Sequence, residues 1–362
     1  MQSVKKDTSS HSNLLQEIPT FDVSLFEQDK EAFSKAIGDG IQDFGFCGLK
    51  NHGIPDALIE KAFHVMEAFF ALDEETKKKY FEKSAKGQRG YTPFKQERAK
   101  SSEQADLKEF WHVGRENAKN PKIMDNVWPT EIAEFKPIML EFYNALDNLA
   151  EKILSAIAYY LEVGFDFFDG KTGDDDSILR ALHYPAQQGD DLGGAIRAGA
   201  HEDINLITLL VGSNEPGLEI LDNRGRWIPV TTIEGTIVCN IGDMLQRFTN
   251  DVFPSKTHRV VNPDETRSTH ARYSVPFFKH LNPDCMIETI PSCITDERPN
   301  KYQPITAYQY LIQRLIEIDL IPQEAVLDFD LPLHALEEMK ENFIESKKDI
   351  HPNLEKAISS LK

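Results

Sequence analysis

The stretch His201-Glu-Asp-Ile-Asn-Leu-Ile-Thr-Leu-Leu-Val211 decides how this chain is read. Its second part is rich in β-branched and aliphatic residues and predicts a strand over 204–211. Side chains at i and i+2 leave the same face of a strand, so His201 and Asp203 can reach one ion while Glu202 points away. Far along the chain, Lys256-Thr-His-Arg-Val-Val261 predicts a second strand carrying His258. Two imidazoles and one carboxylate are the ligand set that holds non-haem Fe(II) and leaves coordination positions open. The chain must fold back on itself to complete such a site, and the succession of short strands over 178–280 reads as an all-β barrel or jelly-roll.

A third segment, Arg272-Tyr-Ser-Val-Pro-Phe-Phe278, repeats the i, i+2 arrangement with Arg272 and Ser274. A guanidinium grips a carboxylate through two parallel hydrogen bonds, and a neighbouring hydroxyl can add a third. A metal with open positions beside a carboxylate clamp fits a 2-oxo acid co-substrate that chelates the ion and anchors its far end, with room left for dioxygen. Tyr184, in Leu179-Arg-Ala-Leu-His-Tyr-Pro185, is a further candidate donor.

With these residues in place, the chain resembles the isopenicillin N synthase-like family of Fe(II)/2-oxoglutarate-dependent dioxygenases. The resemblance runs from about Ile18 to about Leu320. It rests on Ile18-Pro-Thr-Phe-Asp22, on Phe44-Gly-Phe-Cys-Gly-Leu-Lys-Asn-His-Gly-Ile-Pro55, on Gly90-Tyr91 and on Asp106-Leu-Lys-Glu-Phe-Trp-His112. The ordered set His201-Glu-Asp203, His258-Arg-Val260 and Arg272-Tyr-Ser274 completes it. It implies a double-stranded β-helix (jelly-roll) core with flanking helices and a mixed α/β N-terminal region. It also implies His201, Asp203 and His258 as iron ligands, and Arg272, Ser274 and Tyr184 as 2-oxoglutarate contacts. The expected reaction is oxidation of a small molecule, by default hydroxylation, with release of succinate and CO2. Two departures stand out. The interval from His258 to Arg272 is long and predicts an enlarged turn around Pro263–His270. Leu182 stands where many plant members carry an asparagine, which weakens the transfer of a role to Tyr184. Two alternatives stay open. One is an isopenicillin N synthase-type oxidase that uses no 2-oxoglutarate. The other is a non-catalytic metal-binding jelly-roll protein.

Composition agrees with a globular enzyme. The chain has 362 residues, 40% of them hydrophobic, and no apolar run approaches the ~20 residues of a membrane span. A net charge of −19 argues against nucleic acid or an anionic membrane as partner and leaves a small-molecule substrate. The four cysteines lack metal-binding spacing and read as free thiols in a reducing cytoplasm. Oligomeric state is not readable.

The expected organisation is a disordered tail over 1–16, an N-terminal region over 17–130, long helices and a linker over 131–177, the jelly-roll over 178–281 and a C-terminal helical extension over 282–362. On the substrate side, Arg197 shares the extended face of His201 and could bind a substrate carboxylate, the alternative being a solvated arginine in a Gly-rich loop. His112, next to Trp111, is a pocket candidate or a packed core residue. His52 reads as a turn residue, His183 as lying outside the site, and His270 and His280 as surface. The charge run Glu74-Glu-Thr-Lys-Lys-Lys79 reads as a solvated helix face. The C-terminal extension could dimerise, cover the pocket or dock on its own chain.

Overall fold

The structure, a computed structural model, describes residues 16–81, 88–94, 96, 107–186, 197–212, 217–231, 233, 235–261 and 271–362. The expected tail and the enlarged turn around Pro263–His270 therefore lie outside the described residues, apart from residue 16.

Helices alternate with short strands in the N-terminal region. After β1 (Gln16–Glu17) and β2 (Thr20–Asp22) comes α1 (Lys30–Phe44). Asp29 caps it by accepting from the Ala32 N–H at 3.0 Å. Gly45 ends it at φ 68°, where a Cβ would lie 2.6 Å from the Pro254 carbonyl. Phe33, Ile37 and Ile41, one turn apart, form its buried stripe. After β3 (Phe46–Lys50) come two helices, α2 (Asp56–Phe70) and α3 (Glu74–Lys78), with Asp73 capping the second. Next come β4 (Gly90–Thr92), β5 (Glu109–Gly114) and the 26-residue α4 (Phe135–Tyr160).

The β-rich core follows: β6 (Ile178–Tyr184), β7 (Ala198–His201), β8 (Ile207–Val211), β9 (Leu218–Leu221), β10 (Trp227–Thr231), β11 (Ile237–Ile241), the short α5 (Asp243–Phe248), β12 (His258–Val260) and β13 (Arg272–Lys279). These strands build two facing sheets. The larger runs β2-β3-β11-β8-β13-β6-β5-β4 and the smaller β1-β10-β9-β12-β7. Leu218, Ile220 and Val230 of the smaller sheet meet Phe46 and Val238 of the larger in one apolar cluster. The result is a jelly-roll. The opposite face of the larger sheet, with Leu209, Cys239, Leu179, Trp111 and Phe277, packs on α1, α2 and α4 in the main core. Alternation along each strand therefore sorts side chains between a helix-covered face and an interior between the sheets. Cys47 and Cys239 are paired across β3 and β11 on the helix-covered face and remain free thiols.

Beyond β14 (Met286–Ile287) and β15 (Ile305–Thr306) lie α6 (Ala307–Glu317), α7 (Leu333–Glu345) and α8 (Pro352–Leu361). They close a core of their own around Ile316, Leu336, Met339, Phe343, Leu354 and Ile358. The extension docks on its own chain.

Several charged groups sit deeper than their sequence context suggests. Lys77, expected on a solvated face, is buried and reaches Glu109 at 2.8 Å, which also takes hydrogen bonds from Tyr91 and His183. His280, expected at the surface, is buried. Fully buried Lys279 meets Asp147, Glu151 and Asp175 at 2.6, 2.7 and 3.0 Å. Its ammonium fills this acidic cluster, so no metal is needed there. Burial works to raise the Asp175 carboxyl, but Lys279 and Arg115 outweigh it and hold it well below the ordinary carboxylate range. A depressed folded-state value means that this stabilisation is complete above the unfolded value of about 4 and fades as pH falls towards the folded value. Lys279→Met should cost about 3 kcal/mol in urea unfolding, the lower end for a broken buried pair because Arg115 remains beside two of the carboxylates. An unchanged unfolding midpoint would refute this.

Candidate metal centre and carboxylate clamp

The smaller sheet places two of the candidate ligands. His201 ends β7, His258 opens β12, and the two pair directly across these antiparallel strands. Their ring centroids lie 4.4 Å apart. The strand expected over 204–211 begins only at Ile207, so His201 belongs to the preceding strand and Asp203 to the turn between them. That turn carries the Asp203 carboxylate between the rings, with Oδ1 at 3.7 Å from His201 Nε2 and Oδ2 at 3.9 Å from His258 Nε2. One ligand atom from each residue lies within 4.8 Å of the others.

Each group is oriented by a further contact. His201 Nδ1 bonds the Gly199 carbonyl at 2.7 Å, and His258 Nδ1 the Lys256 carbonyl at 3.1 Å. A carbonyl only accepts, so both Nδ1 atoms carry the proton and both Nε2 lone pairs point to the shared space. Thr208 and Asn240, on the interior face of the larger sheet, donate to Asp203 Oδ2 at 2.6 and 2.8 Å. Phe46 of the same face packs edge-on against His258.

The electrostatics suit a cation. Desolvation around the ring and the neighbouring His258 push the His201 imidazole below its usual range, against the pull of Asp203 and although 43% of the side chain is exposed; the shift favours the neutral, ligating form. Burial works to raise the Asp203 carboxyl. His258, His201 and the hydrogen bonds from Asn240 and Thr208 more than offset it and keep the group ionised. Asp243, close by, is pushed up to about 6 by burial, despite Arg314.

The clamp candidates lie on the interior face two strands away. Arg272 is directly opposite Tyr184, and Ser274 opposite Leu182, across β13 and β6. Both Arg272 and Ser274 are buried. The Arg272 guanidinium lies 5.8 Å from the Tyr184 ring centroid, and its Nε and Nη1 have no hydrogen-bond partner among the described residues. A desolvated cation with unused donors is costly unless a ligand supplies the acceptor. That orphaned fork and the two free imidazole lone pairs fit a metal ion together with a carboxylate-bearing co-substrate.

The substrate-side candidates fall as follows. Arg197, considered above as a solvated arginine, is 1% exposed and lies beside Tyr184, 5.6 Å from the ring centroid. His112 is buried on the interior face and accepts from Arg180 Nε at 2.6 Å, while Trp111 points into the main core. His183 faces the helices, stacked on Tyr273. His52 accepts from the Ile54 N–H in the turn after β3.

Sequence reading missed Arg180, Thr208 and Asn240. Arg180 lies between Phe110 and Phe278, 4.4 and 5.3 Å from their ring centroids. Phe278 stands directly opposite Thr208, which holds Asp203. The signal was available in the alternation of Arg180, Leu182 and Tyr184 along one strand.

A histidine pair and an aspartate that converge in a jelly-roll fit a non-haem metal centre of the two-histidine, one-carboxylate class. Residues 18–131 match the family described as non-haem dioxygenase in morphine synthesis N-terminal, and residues 175–281 match the 2OG-Fe(II) oxygenase superfamily. Among curated relatives, the 2-oxoglutarate-Fe(II) type oxidoreductase hxnY of Emericella nidulans is 34% identical over 72% of this chain and 78% of its own length. The proline hydroxylase buaE of Petromyces alliaceus is 32% identical over 80% of this chain and 94% of its own. A full-length Neurospora crassa protein, crystallised with alpha-KG and thymine, superposes with a TM-score of 0.75 at 34% identity, covering 84% of this chain and 98% of the Neurospora chain. The chain belongs to the 2OG-Fe(II) oxygenase superfamily. It is a 2-oxoglutarate-dependent dioxygenase, using Fe(II), 2-oxoglutarate and dioxygen. Among the described residues, no helix is long and apolar enough to cross a membrane.

Proposed function

We propose that this dioxygenase hydroxylates a small polar organic substrate, with His201, Asp203 and His258 holding Fe(II) and Arg272 and Ser274 gripping the far carboxylate of 2-oxoglutarate. The observation that carries the reading is the buried Arg272 fork, whose Nε and Nη1 lack partners among the described residues on the same interior face that anchors Asp203. When bound, the iron supplies the oxidising chemistry, coupling decarboxylation of 2-oxoglutarate to substrate oxidation. The protein does the rest. The Nδ1–H groups of both histidines fix the rings through the Gly199 and Lys256 carbonyls. Thr208 and Asn240 hold the carboxylate, and Tyr184 flanks the clamp with both Arg272 and Arg197 beside its ring.

The substrate would lie along the wall formed by Phe110, His112, Arg180 and Phe278, with Arg197 nearer the co-substrate end. Relatives named for proline and homoarginine hydroxylation, and the thymine complex, make amino acids and pyrimidines a sensible first panel. We place the protein in the cytoplasm, without nucleic-acid or membrane partners, on its net charge of −19 and its free cysteines. We also retain the jelly-roll over 178–281 as the catalytic unit and the region after it as a helical extension.

The test is succinate release from iron-loaded protein. Slow release with 2-oxoglutarate alone, loss on chelation and acceleration by one member of the panel are expected. Absence of both 2-oxoglutarate binding and succinate would overturn the assignment of Arg272 as its anchor.

A further inference from the structure

The loop carrying Asp203 is held from behind by the first turn of α5. The Asp243 N–H donates to the Asp203 carbonyl at 2.7 Å, Met244 to Asn205 at 3.1 Å and Gly242 to Leu206 at 2.9 Å. The approach is so close that a Cβ on Gly242 would sit 2.2 Å from the Asn205 carbonyl oxygen. The backbone of the candidate metal ligand is thus zipped to α5, and its position depends on what holds α5.

Met244, Leu245 and Phe248 of α5 pack into the main core, while its charged residues reach the C-terminal unit. The buried Asp243 carboxylate faces Arg314 of α6, with Oδ2 3.2 Å from Nε in a close ion contact rather than an aligned hydrogen bond. Arg314 is braced by Glu317 at 2.6 Å. Glu317, fully buried, accepts in turn from Gln313 at 3.1 Å and from Asn342 of α7 at 2.9 Å. The buried arginine of α5, Arg247, lies 4.8 and 5.1 Å from the Tyr302 and Tyr310 ring centroids and reaches Glu338 of α7 at 3.4 Å. A simple docked appendage needs only apolar contact. Here a desolvated charge chain runs from the C-terminal core to the residue that hydrogen-bonds Asp203.

We propose that Arg314 is a positioning residue for the metal centre, acting through Asp243 on Asp203, and that the C-terminal helices serve as its rigid support. This rests on the metal assignment made above. Groups that orient metal ligands typically change affinity 10–100-fold when lost. Acting one residue further back, Arg314 should fall near the lower figure.

The test titrates full-length apo-protein with Co(II), a spectroscopic stand-in for Fe(II), and measures the dissociation constant by chelator competition alongside the d–d absorption. Arg314→Met and Asp243→Asn should each weaken Co(II) binding about tenfold and alter the d–d bands. The double variant should be no weaker than either alone, because both lie on one chain of contacts. Arg314→Lys should recover part of the loss. Met339→Ala, which opens the C-terminal core without touching the charge chain, should lower the melting temperature and leave the Co(II) constant unchanged. If Arg314→Met does not fold, the near-isosteric Asp243→Asn carries the same test. The proposal is overturned if Arg314→Met and Asp243→Asn lower only the melting temperature, or if Met339→Ala weakens Co(II) as much as they do. Co(II) binding that ignores His258→Ala would instead sink the metal assignment, and this inference with it.

Discussion

His258→Ala protein is expected to lose all substrate-dependent succinate formation while melting within a few degrees of the wild type without metal. The histidine opens a three-residue strand between β9 and β7 of the smaller sheet, and its ring packs against Phe46 and His201 rather than within the main core. Its removal takes one of three protein ligands from a site whose Nε2 and Oδ atoms already converge. Two ligands hold a divalent ion far less tightly than three, so iron should be lost on dialysis. The two halves are checked separately, by metal content after gel filtration and by circular dichroism of the metal-free protein. Retained iron with full turnover would show that the triad is misassigned. Loss of fold together with metal would show that the ring is structural.

The shared face of Arg272 and Ser274 was legible because strand alternation converts short sequence spacing into shared direction. His201 and Asp203 also converge, but through the turn after β7 rather than along one strand. The direct pairing of His258 with His201 was not legible, since it depends on the register of two strands far apart in the chain. The same reason hid Thr208 and Asn240. Each is an ordinary polar residue in an apolar strand, and only the pairing of β8 with β11 brings both to one oxygen of Asp203. Lys77 and Lys279 misled in the opposite sense. A lysine in a charged run reads as solvated, yet Lys77 finds Glu109 and Lys279 finds three carboxylates on other elements. Sequence shows the charge but not the partner that permits its burial. Arg197 belongs with them. Its Gly-rich surroundings suggested a solvent-exposed loop, and its buried place beside Tyr184 follows from tertiary packing.

Arg272→Ala should raise the 2-oxoglutarate requirement by at least an order of magnitude, the second large effect. Removing one partner of a buried charge pair costs roughly 2–5 kcal/mol, or roughly 30- to several-thousand-fold in affinity. Arg272 meets the condition for the larger part of that range, being 4% exposed with two donors lacking partners among the described residues. Arg272→Lys should recover only part, because lysine keeps the charge but loses the planar fork that matches a carboxylate. Ser274→Ala should cost less, near the roughly 1.5–3 kcal/mol of one hydrogen bond to a charged group. The diagnostic is the order of apparent KM for 2-oxoglutarate, highest for Arg272→Ala, then Arg272→Lys, then Ser274→Ala, measured at saturating iron so that metal loss does not enter. Arg272 and Arg197 both lie beside the Tyr184 ring, 5.8 and 5.6 Å from its centroid. If Arg272→Ala left the 2-oxoglutarate constant untouched while Arg197→Ala raised it, the co-substrate would be anchored by the other arginine beside that ring. The clamp would then have to be reassigned to the arginine that sequence context had placed in solvent.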